Sequence, residues 1–161
     1  HTLKGQHMGI EIERKILIDT AKLSTLTNGY QIKQGYKKTV NYNTVRVRIR
    51  DKEAFLTLKS SSKGARRLEF EYPIPLSDAQ EMLTNLCQKP LISKVRYLVN
   101  HEGHIWEIDV FEEDNQGLIV AEIELESEDE AFAMPSWVTK EVPEDKRYAN
   151  SNLIENPYLN W

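Results

Sequence analysis

The chain has 161 residues, of which 40% are hydrophobic and 29% are charged, and its formal net charge is −4. This length suits one domain with a substantial core, and the negative net charge gives no reason to expect nucleic-acid binding. No apolar run approaches the roughly 20 residues that a membrane-spanning helix requires, so we do not expect a membrane protein. The single cysteine, Cys87, excludes an internal disulfide and is typical of a reducing cytoplasm.

The first seven residues are polar and lack the apolar stretch of a secretory signal. We expect residues 1–7 to be a remnant of cloning that precedes a native Met8. Residues 8–161 are then expected to form a single domain, because no linker or internal repeat divides them.

The dominant spacing of apolar residues is two, which is typical of β-strands. Turn-forming residues such as Asn28-Gly29 separate most of these apolar runs. We therefore predict eight strands, at residues 9–18, 30–36, 43–50, 54–60, 67–74, 92–100, 104–111 and 118–126. The short links at 51–53 and 101–103 predict antiparallel hairpins.

Few helices are predicted, and all are short. Ser77 and Gln80 have the spacing of a capping box, with Ser77 as N-cap, and an apolar stripe follows them. Ser127 and Glu130 predict a second short helix that ends at Pro135. Further short helices are predicted within 19–27 and 145–155. The pattern is that of an α+β protein with one large antiparallel sheet, and eight strands suffice to close a barrel around one small ligand.

Charged and apolar residues alternate along most predicted strands, so each of these strands has one charged face. The charged faces carry Glu11, Glu13 and Lys15; Arg46, Arg48 and Arg50; Lys59; Arg67, Glu69 and Glu71; Lys94 and Arg96; Glu107 and Asp109; and Glu122, Glu124 and Glu126. A charged face usually lies in water. However, like charges are grouped on single strands, and a face in water gains nothing from such grouping because the charges repel one another.

If the sheet curls so that these faces converge, both signs of charge meet in one interior. Buried charges are costly unless they pair, coordinate metals or hold a charged ligand. A polyphosphate with divalent cations would satisfy both sets, since arginine and lysine bind phosphate oxygens and carboxylates hold Mg²⁺ or Mn²⁺. Periodicity alone leaves open whether the charged face lies inside a barrel or outside a sheet.

The segment Glu11-Ile12-Glu13-Arg14-Lys15 resembles the Glu-x-Glu-x-Lys signature of the CYTH superfamily, the triphosphate tunnel metalloenzymes. One such motif occurs by chance in many strands, but further segments match in the family's order. They are 45–48, 56–59, 67–71, 92–97, 106–111, 117–125 and 140–142 followed by Arg147-Tyr148, so that the resemblance runs from about residue 9 to 155.

The resemblance implies an eight-stranded antiparallel β-barrel, a triphosphate tunnel, with its charged faces inward and a few short helices packed outside and at one mouth. It implies metal-dependent hydrolysis of a triphosphate, with inorganic triphosphate converted to pyrophosphate and phosphate as the leading reaction. Mg²⁺ or Mn²⁺ is the expected cofactor. A triphosphate-bearing small molecule is the expected partner, without nucleic acid or membrane, and the sequence does not define the oligomeric state.

The resemblance also implies a role for each matching residue. The predicted catalytic residues are Glu11, Glu13, Lys15, Glu122 and Glu124. Of these, Glu11, Glu13, Glu122 and Glu124 are the principal metal ligands. Asp109, Glu69 and Glu71 could supply a second metal position or form ion pairs with the basic residues of the barrel interior. The predicted phosphate-binding residues are Lys15, Arg46, Arg48, Lys59, Lys94 and Arg96. Arg50 and Arg67 are expected at the tunnel ends or in ion pairs, and Arg14 points to the outer face.

The chain departs from the family pattern at Glu141-Val142-Pro143, where relatives commonly have Glu-Val-Thr. This change puts in doubt the mobility of the carboxyl-terminal segment, which lines one tunnel mouth in relatives.

Two alternatives to the leading function stay open. One is a nucleotide-acting CYTH enzyme, namely a class IV-type adenylate cyclase or a nucleoside or thiamine triphosphatase. The other is a non-catalytic module that binds polyphosphate or nucleotides.

Overall fold

The protein, in a computed structural model, is an antiparallel β-barrel with two α-helices outside the strands. The structure describes residues 9–23, 25–40, 43–61, 63–141 and 146–161. The strands are β1 (Ile10–Ile18), β2 (Tyr30–Lys37), β3 (Thr44–Arg50), β4 (Glu53–Lys59), β5 (Arg66–Ile74), β6 (Ile92–His101), β7 (His104–Phe111), β8 (Ile119–Leu125) and β9 (Val138–Glu141). The first eight confirm the predicted strands to within a few residues at each end.

The barrel closes because β1 pairs with strands at both of its edges. One edge pairs with β8, in a register that places Glu13 opposite Glu124 and Lys15 opposite Glu122. The other edge pairs first with β5, where Glu11 lies opposite Arg67, and then with β9. The full order is β5-β4-β3-β2-β6-β7-β8-β1, with the β5–β1 pairing joining the two ends. The predicted hairpins at 51–53 and 101–103 are both present.

The outer face of β1, β7 and β8 carries a large apolar core. Ile16, Trp106, Ile108 and Ile123 are almost completely buried in it. The segment between β8 and β9 covers this core, and Trp137 packs edge-to-face on Trp106 at a centroid distance of 5.4 Å. Because these apolar side chains occupy the outside of the sheet, the alternate side chains of the same strands point into the barrel.

The helix predicted from Ser127 to Pro135 is wrong, because residues 126–137 form turns and irregular chain. Glu130 does reach back to accept a hydrogen bond from the Glu126 backbone N–H, as a capping glutamate would, but it also contacts His104. The segment must spread Phe132 and Trp137 over Trp106. A helix would draw these side chains together along its axis instead of spreading them over the sheet.

Helix α1 (Leu76–Asn85) lies outside β3 and β4, where Ala79 and Leu83 pack against Val47. The predicted N-cap, Ser77, is wrong: the cap is Pro75, and no side chain caps the helix. Pro75 has extended backbone angles and its fixed φ allows the helix to begin at the next residue. Gly35 permits the close approach of the helix end, since a Cβ there would lie 2.8 Å from the Cβ of Cys87.

Apolar and C-terminal residues close one end of the barrel. Tyr36, Ile92, Phe111 and Val120 form a cluster there with Leu153 from helix α2 (Asn150–Leu153). The helix predicted within 145–155 is thus present as α2, preceded by a 3₁₀ turn at Lys146–Tyr148. The helix predicted within 19–27 is reduced to a 3₁₀ turn at Thr20–Lys22. Within the described ranges, none of the helices has the length and apolarity to cross a bilayer.

Candidate active site

The charged faces of the strands point into the barrel, which is the direction that periodicity could not define. The side chains of Val47, Ile108 and Ile123 pack in cores outside the sheet, so their neighbours along each strand face inward. Many of these inward charges are buried: Glu11, Arg46, Arg48, Lys59, Glu69, Lys94, Arg96, Asp109 and Glu122. The interior of the barrel is therefore a densely charged space.

A cavity lies in this interior, and most of the charged residues that line it are basic. Among the described residues, seven basic side chains and only two carboxyl groups line this cavity. The basic residues are Lys15, Arg46, Arg48, Lys59, Arg67, Lys94 and Arg96, and the carboxylates are Glu13 and Glu122. The remaining lining residues are Tyr36, Thr44 and the stretch 149–151, which precedes and begins α2. This excess of positive charge suits a compact anion.

Glu11 lies behind the cavity wall in a network of ion pairs. Its side chain is 1% exposed, and its Oε1 lies 3.1 Å from Lys59 Nζ and 3.1 Å from Arg67 Nε. Lys59 Nζ is also 3.2 Å from Glu69 Oε2, and Arg46 lies 3.5 Å from Glu71. These carboxylates orient the basic side chains and offset the cost of burying them.

A second network surrounds Asp109 on the opposite wall. Arg96 donates two hydrogen bonds to its carboxylate, at 2.7 and 2.8 Å, and Lys94 Nζ lies 2.7 Å from Oδ2. Burial alone would raise the pKa of Asp109, but the positive charges of Arg96 and Lys94 outweigh burial and lower the pKa to about 2. Asp109 is therefore ionised at neutral pH and holds the side chains of Arg96 and Lys94 in place.

Glu13 and Glu122 form a pair of adjacent carboxyl groups on the cavity wall. Burial opposes ionisation of Glu122, but the charge of Lys15 and a hydrogen bond with Glu13 keep the pKa of Glu122 well below its usual value. Arg96 Nη2 lies 4.0 Å from Glu122 Oε1 and contributes in the same direction. Glu122 therefore offers carboxylate oxygen atoms toward the cavity at neutral pH.

Two cations of the lining are strongly affected by burial. Burial, together with repulsion from Arg46 and Arg96, lowers the pKa of Arg48 to about 10. Its Nε donates a 2.7 Å hydrogen bond to Gln34 Oε1, and within the described part of the chain it has no carboxylate partner. Burial also lowers the pKa of Lys94 to about 7, although Asp109 opposes the change. Both cations would gain from an anion in the cavity.

The structure brings together all six residues predicted to bind phosphate, since each of them lines this one cavity. Of the predicted metal ligands, Glu13 and Glu122 line it as well, while Glu11 is held in ion pairs behind the wall. Glu124 lies opposite Glu13 on β8 and is partly exposed. Asp109, Glu69 and Glu71 are paired with basic side chains, one of the two roles considered for them.

Several residues at or beside the cavity were not predicted from the sequence. Arg67 lines it as well as pairing with Glu11, although only tunnel ends or ion pairs were expected for Arg67. Tyr36 and Gln34 share an inward face of β2, but that strand has no alternating charge to mark the face. Asn150 comes from a short helix after the barrel, and no spacing in the sequence connects it to the strands.

The fit of a divalent cation can be judged from the carboxylates. Among the described residues, no three His, Cys, Asp or Glu side chains are arranged to hold a metal ion. Glu13 and Glu122 nevertheless place two carboxyl groups side by side at the cavity. Mg²⁺ is commonly bound by one or two carboxylates, with substrate phosphates and water as its other ligands. The residues present therefore fit a divalent cation that arrives with a phosphate substrate.

The closed β-barrel, with basic and acidic side chains turned into one cavity, has the architecture of a tunnel enzyme. More particularly, the chain belongs to the CYTH domain family, whose family model matches residues 9–156. This membership supports a divalent metal as the cofactor.

Two relatives extend along nearly the whole chain. An inorganic triphosphatase of Acetivibrio thermocellus is 45% identical over 154 residues, covering 96% of this chain and 99% of the relative. An inorganic triphosphatase of Nitrosomonas europaea is 37% identical over 148 residues, covering 89% and 95%. Among solved structures, the crystal structure of the inorganic triphosphatase NE1496 is similar with a TM-score of 0.63 and 36% identity, covering 89% of this chain and 93% of that chain.

Proposed function

We propose that this protein hydrolyses inorganic triphosphate to pyrophosphate and phosphate, with Mg²⁺ or Mn²⁺ as the divalent cation. The observation that carries the proposal is the cavity, which seven basic side chains and two carboxyl groups line among the described residues. Such a lining attracts a compact polyanion, and the adjacent acids suit the metal that accompanies it. The two relatives that match almost the full chain, both inorganic triphosphatases, support the same substrate.

The basic residues would bind the phosphate chain from both walls. Lys59 and Arg67 lie on one wall with Glu11, and Lys94 and Arg96 lie on the other with Asp109. Because the carboxylates behind them fix their positions, the cations need little rearrangement when the anion enters. Preorganised charge of this kind stabilises the transition state more than mobile charge does.

Glu13 and Glu122 would hold the metal, which would neutralise phosphate charge and lower the pKa of a bound water. Hydrolysis forms a bond between the water oxygen and a terminal phosphorus. The bond from that phosphorus to the bridging oxygen breaks, and pyrophosphate leaves with the electron pair. Arg48, Lys94 and Arg96 would stabilise the charge that spreads over the transferring phosphoryl oxygens.

A side-by-side assay tests the substrate. Phosphate release would be measured from inorganic triphosphate, ATP and thiamine triphosphate at equal concentrations, each with Mg²⁺ and with Mn²⁺. We expect inorganic triphosphate to be turned over fastest, with no turnover when the metal is chelated. If ATP turnover exceeded that of inorganic triphosphate by about tenfold, the proposal would be replaced by the nucleotide-acting alternative.

The Glu122→Gln variant tests the enzyme against the pure binding module. Loss of a carboxylate at the metal should lower kcat by about 100-fold, the low end of the effect of removing one electrostatic group from an active site. Binding of triphosphate in the absence of metal should hold or improve, because one negative charge has been removed from the cavity. Glu128→Gln, an exposed position after β8, is the matched control. Unchanged turnover in Glu122→Gln would contradict the metal-binding role.

A further inference from the structure

Three cations of the cavity make hydrogen bonds to neutral oxygen atoms close to the C-terminal segment, residues 146–161. Lys15 Nζ donates to the Tyr148 carbonyl at 3.1 Å, and Lys94 Nζ donates to Asn150 Oδ1 at 2.9 Å. Asn150 Oδ1 also accepts from Gln34 Nε2 at 3.1 Å. Gln34 in turn accepts from Arg48 through its own Oε1. Asn150 is therefore connected to Lys94 directly and to Arg48 through one fully buried glutamine.

These neutral acceptors differ in effect from the carboxylates elsewhere in the barrel. A carboxylate beside Lys59 or Arg67 fixes the cation but cancels much of its charge. An amide oxygen fixes the cation and leaves its charge to act on a ligand, because the amide carries no net charge. Lys94 shares Asp109 with Arg96, so an additional neutral acceptor can orient its ammonium group without removing more positive charge from the cavity.

We infer that Asn150 is a positioning residue that holds Lys94 and the Gln34–Arg48 pair toward the bound triphosphate. The C-terminal segment thereby completes the phosphate-binding wall as well as closing one end of the barrel. This inference rests on the proposed function for the identity of the anion. It assigns a role to a residue outside the barrel strands, since Asn150 is the first residue of α2.

The side-chain amide of Asn150 fixes the orientation of the Gln34 amide, and Gln34 in turn fixes Arg48. Gln34 Nε2 is already engaged by Tyr36 Oη at 2.7 Å and by Asn150, so its Oε1 can point in only one direction, toward Arg48. Removal of the Asn150 side chain frees both Lys94 and one side of Gln34. The buried amide and ammonium groups would then reorient to find other partners.

The test measures the affinity for inorganic triphosphate by calorimetry without metal, so it does not depend on turnover. Loss of a hydrogen bond to a charged group predicts that Asn150→Ala weakens binding by about tenfold. Asn156→Ala is the matched control, because Asn156 is exposed and lies three residues beyond α2. Its affinity should stay within about twofold of the unmodified protein. Circular dichroism and Tm would establish that each variant is folded.

A double-mutant cycle separates positioning from a general structural role. If Asn150 acts through Lys94, the Asn150→Ala, Lys94→Met double variant should bind more tightly than the product of the two single losses predicts. Multiplicative losses would overturn the inference, as would an unchanged affinity in a folded Asn150→Ala variant. A multiplicative result, together with triphosphate turnover by the unmodified protein, would reject the inference and leave the proposed function intact.

The Asn150→Asp variant tests the importance of a neutral acceptor and serves if the alanine variant fails to fold. Aspartate keeps the oxygen that accepts from Lys94 and Gln34, so the variant should have a Tm no lower than that of the unmodified protein. Its negative charge would pair with Lys94 in the cavity, and triphosphate affinity should fall by about tenfold or more. Unchanged affinity in this variant would contradict the role of the neutral amide.

Discussion

At the scale of single residues, the chemistry of the cavity depends on cations that are buried before any anion binds. Lys94 is the extreme case, with 1% of its side chain exposed. Loss of hydration lowers its pKa to about 7, and the nearby charges of Arg96 and Arg48 act in the same direction. Asp109 opposes them and keeps the ammonium form accessible. Lys94 is therefore only partly charged near pH 7 in the protein without ligand.

This partial charge leads to a prediction about pH. Triphosphate binds the charged form of Lys94, so affinity should fall as the pH rises through about 7. Loss of one proton from a group of that pKa weakens binding by about tenfold between pH 6 and pH 8. Lys94→Arg keeps its charge throughout this interval, so its affinity should fall less. Because the ligand's own ionisation is common to both proteins, the ratio of their dissociation constants isolates Lys94.

Calorimetry at pH 6, 7 and 8 would measure this ratio, and parallel pH profiles would contradict the assignment.

The stability of the folded protein should change with pH in the opposite sense to its affinity for triphosphate. The pKa of Lys94 is lower in the folded than in the unfolded protein, so the unfolded chain binds more protons between about pH 7 and 10.5. The contribution of this one group to the free energy of unfolding therefore increases across that interval as the pH rises.

At the scale of elements, the two faces of the barrel strands lie in different environments. The inward faces hold charges that must be paired or bound, and the outward faces pack on apolar side chains. Trp106 of β7 is fully buried on the outside, under Trp137 and Phe132 from the segment between β8 and β9. This cover stabilises the barrel without touching the cavity.

Trp137 should therefore affect stability and not binding. Its side chain is 7% exposed, and Trp137→Ala should lower the free energy of unfolding by about 3–5 kcal/mol, the usual cost of such a cavity. Met134→Ala in the same segment, at a half-exposed position, should cost less than about 1 kcal/mol. Urea denaturation would measure both. A weaker affinity for triphosphate in folded Trp137→Ala would show that the outer cover also shapes the cavity.

Much of this arrangement could be predicted from the sequence, because alternating charged and apolar residues identify a strand and assign each residue to one of its two faces. The eight strands were identified in this way, and so were the charged faces that carry the six residues predicted to bind phosphate. The role of those six residues was predicted from the resemblance. The inward direction of the charges depended on the resemblance, since alternation is the same for either direction. The helix predicted at 127–135 was wrong because the tertiary contacts of Phe132 and Trp137 override a local capping signal. Gln34 and Asn150 escaped notice because neutral side chains carry no charge pattern.

At the scale of the whole molecule, the interior of the barrel contains more positive than negative charge at its cavity. Like charges at short distance repel strongly where water is scarce. The fold holds them together because the outer cores and the carboxylates behind the wall compensate. A polyanion in the cavity would relieve this repulsion, so the folded protein should be the form that binds it.

Triphosphate should therefore stabilise the whole protein against heat. At a concentration about 100 times its dissociation constant, a ligand that binds only the folded state contributes about 2.7 kcal/mol. For a chain of this size that raises Tm by roughly 5–11 °C. Differential scanning fluorimetry without metal would measure the shift, with sulfate at matched ionic strength as the control. Arg48→Met, which removes a cation that has no carboxylate partner among the described residues, should reduce the shift. Equal shifts with sulfate and triphosphate would indicate that the cavity does not select a polyphosphate.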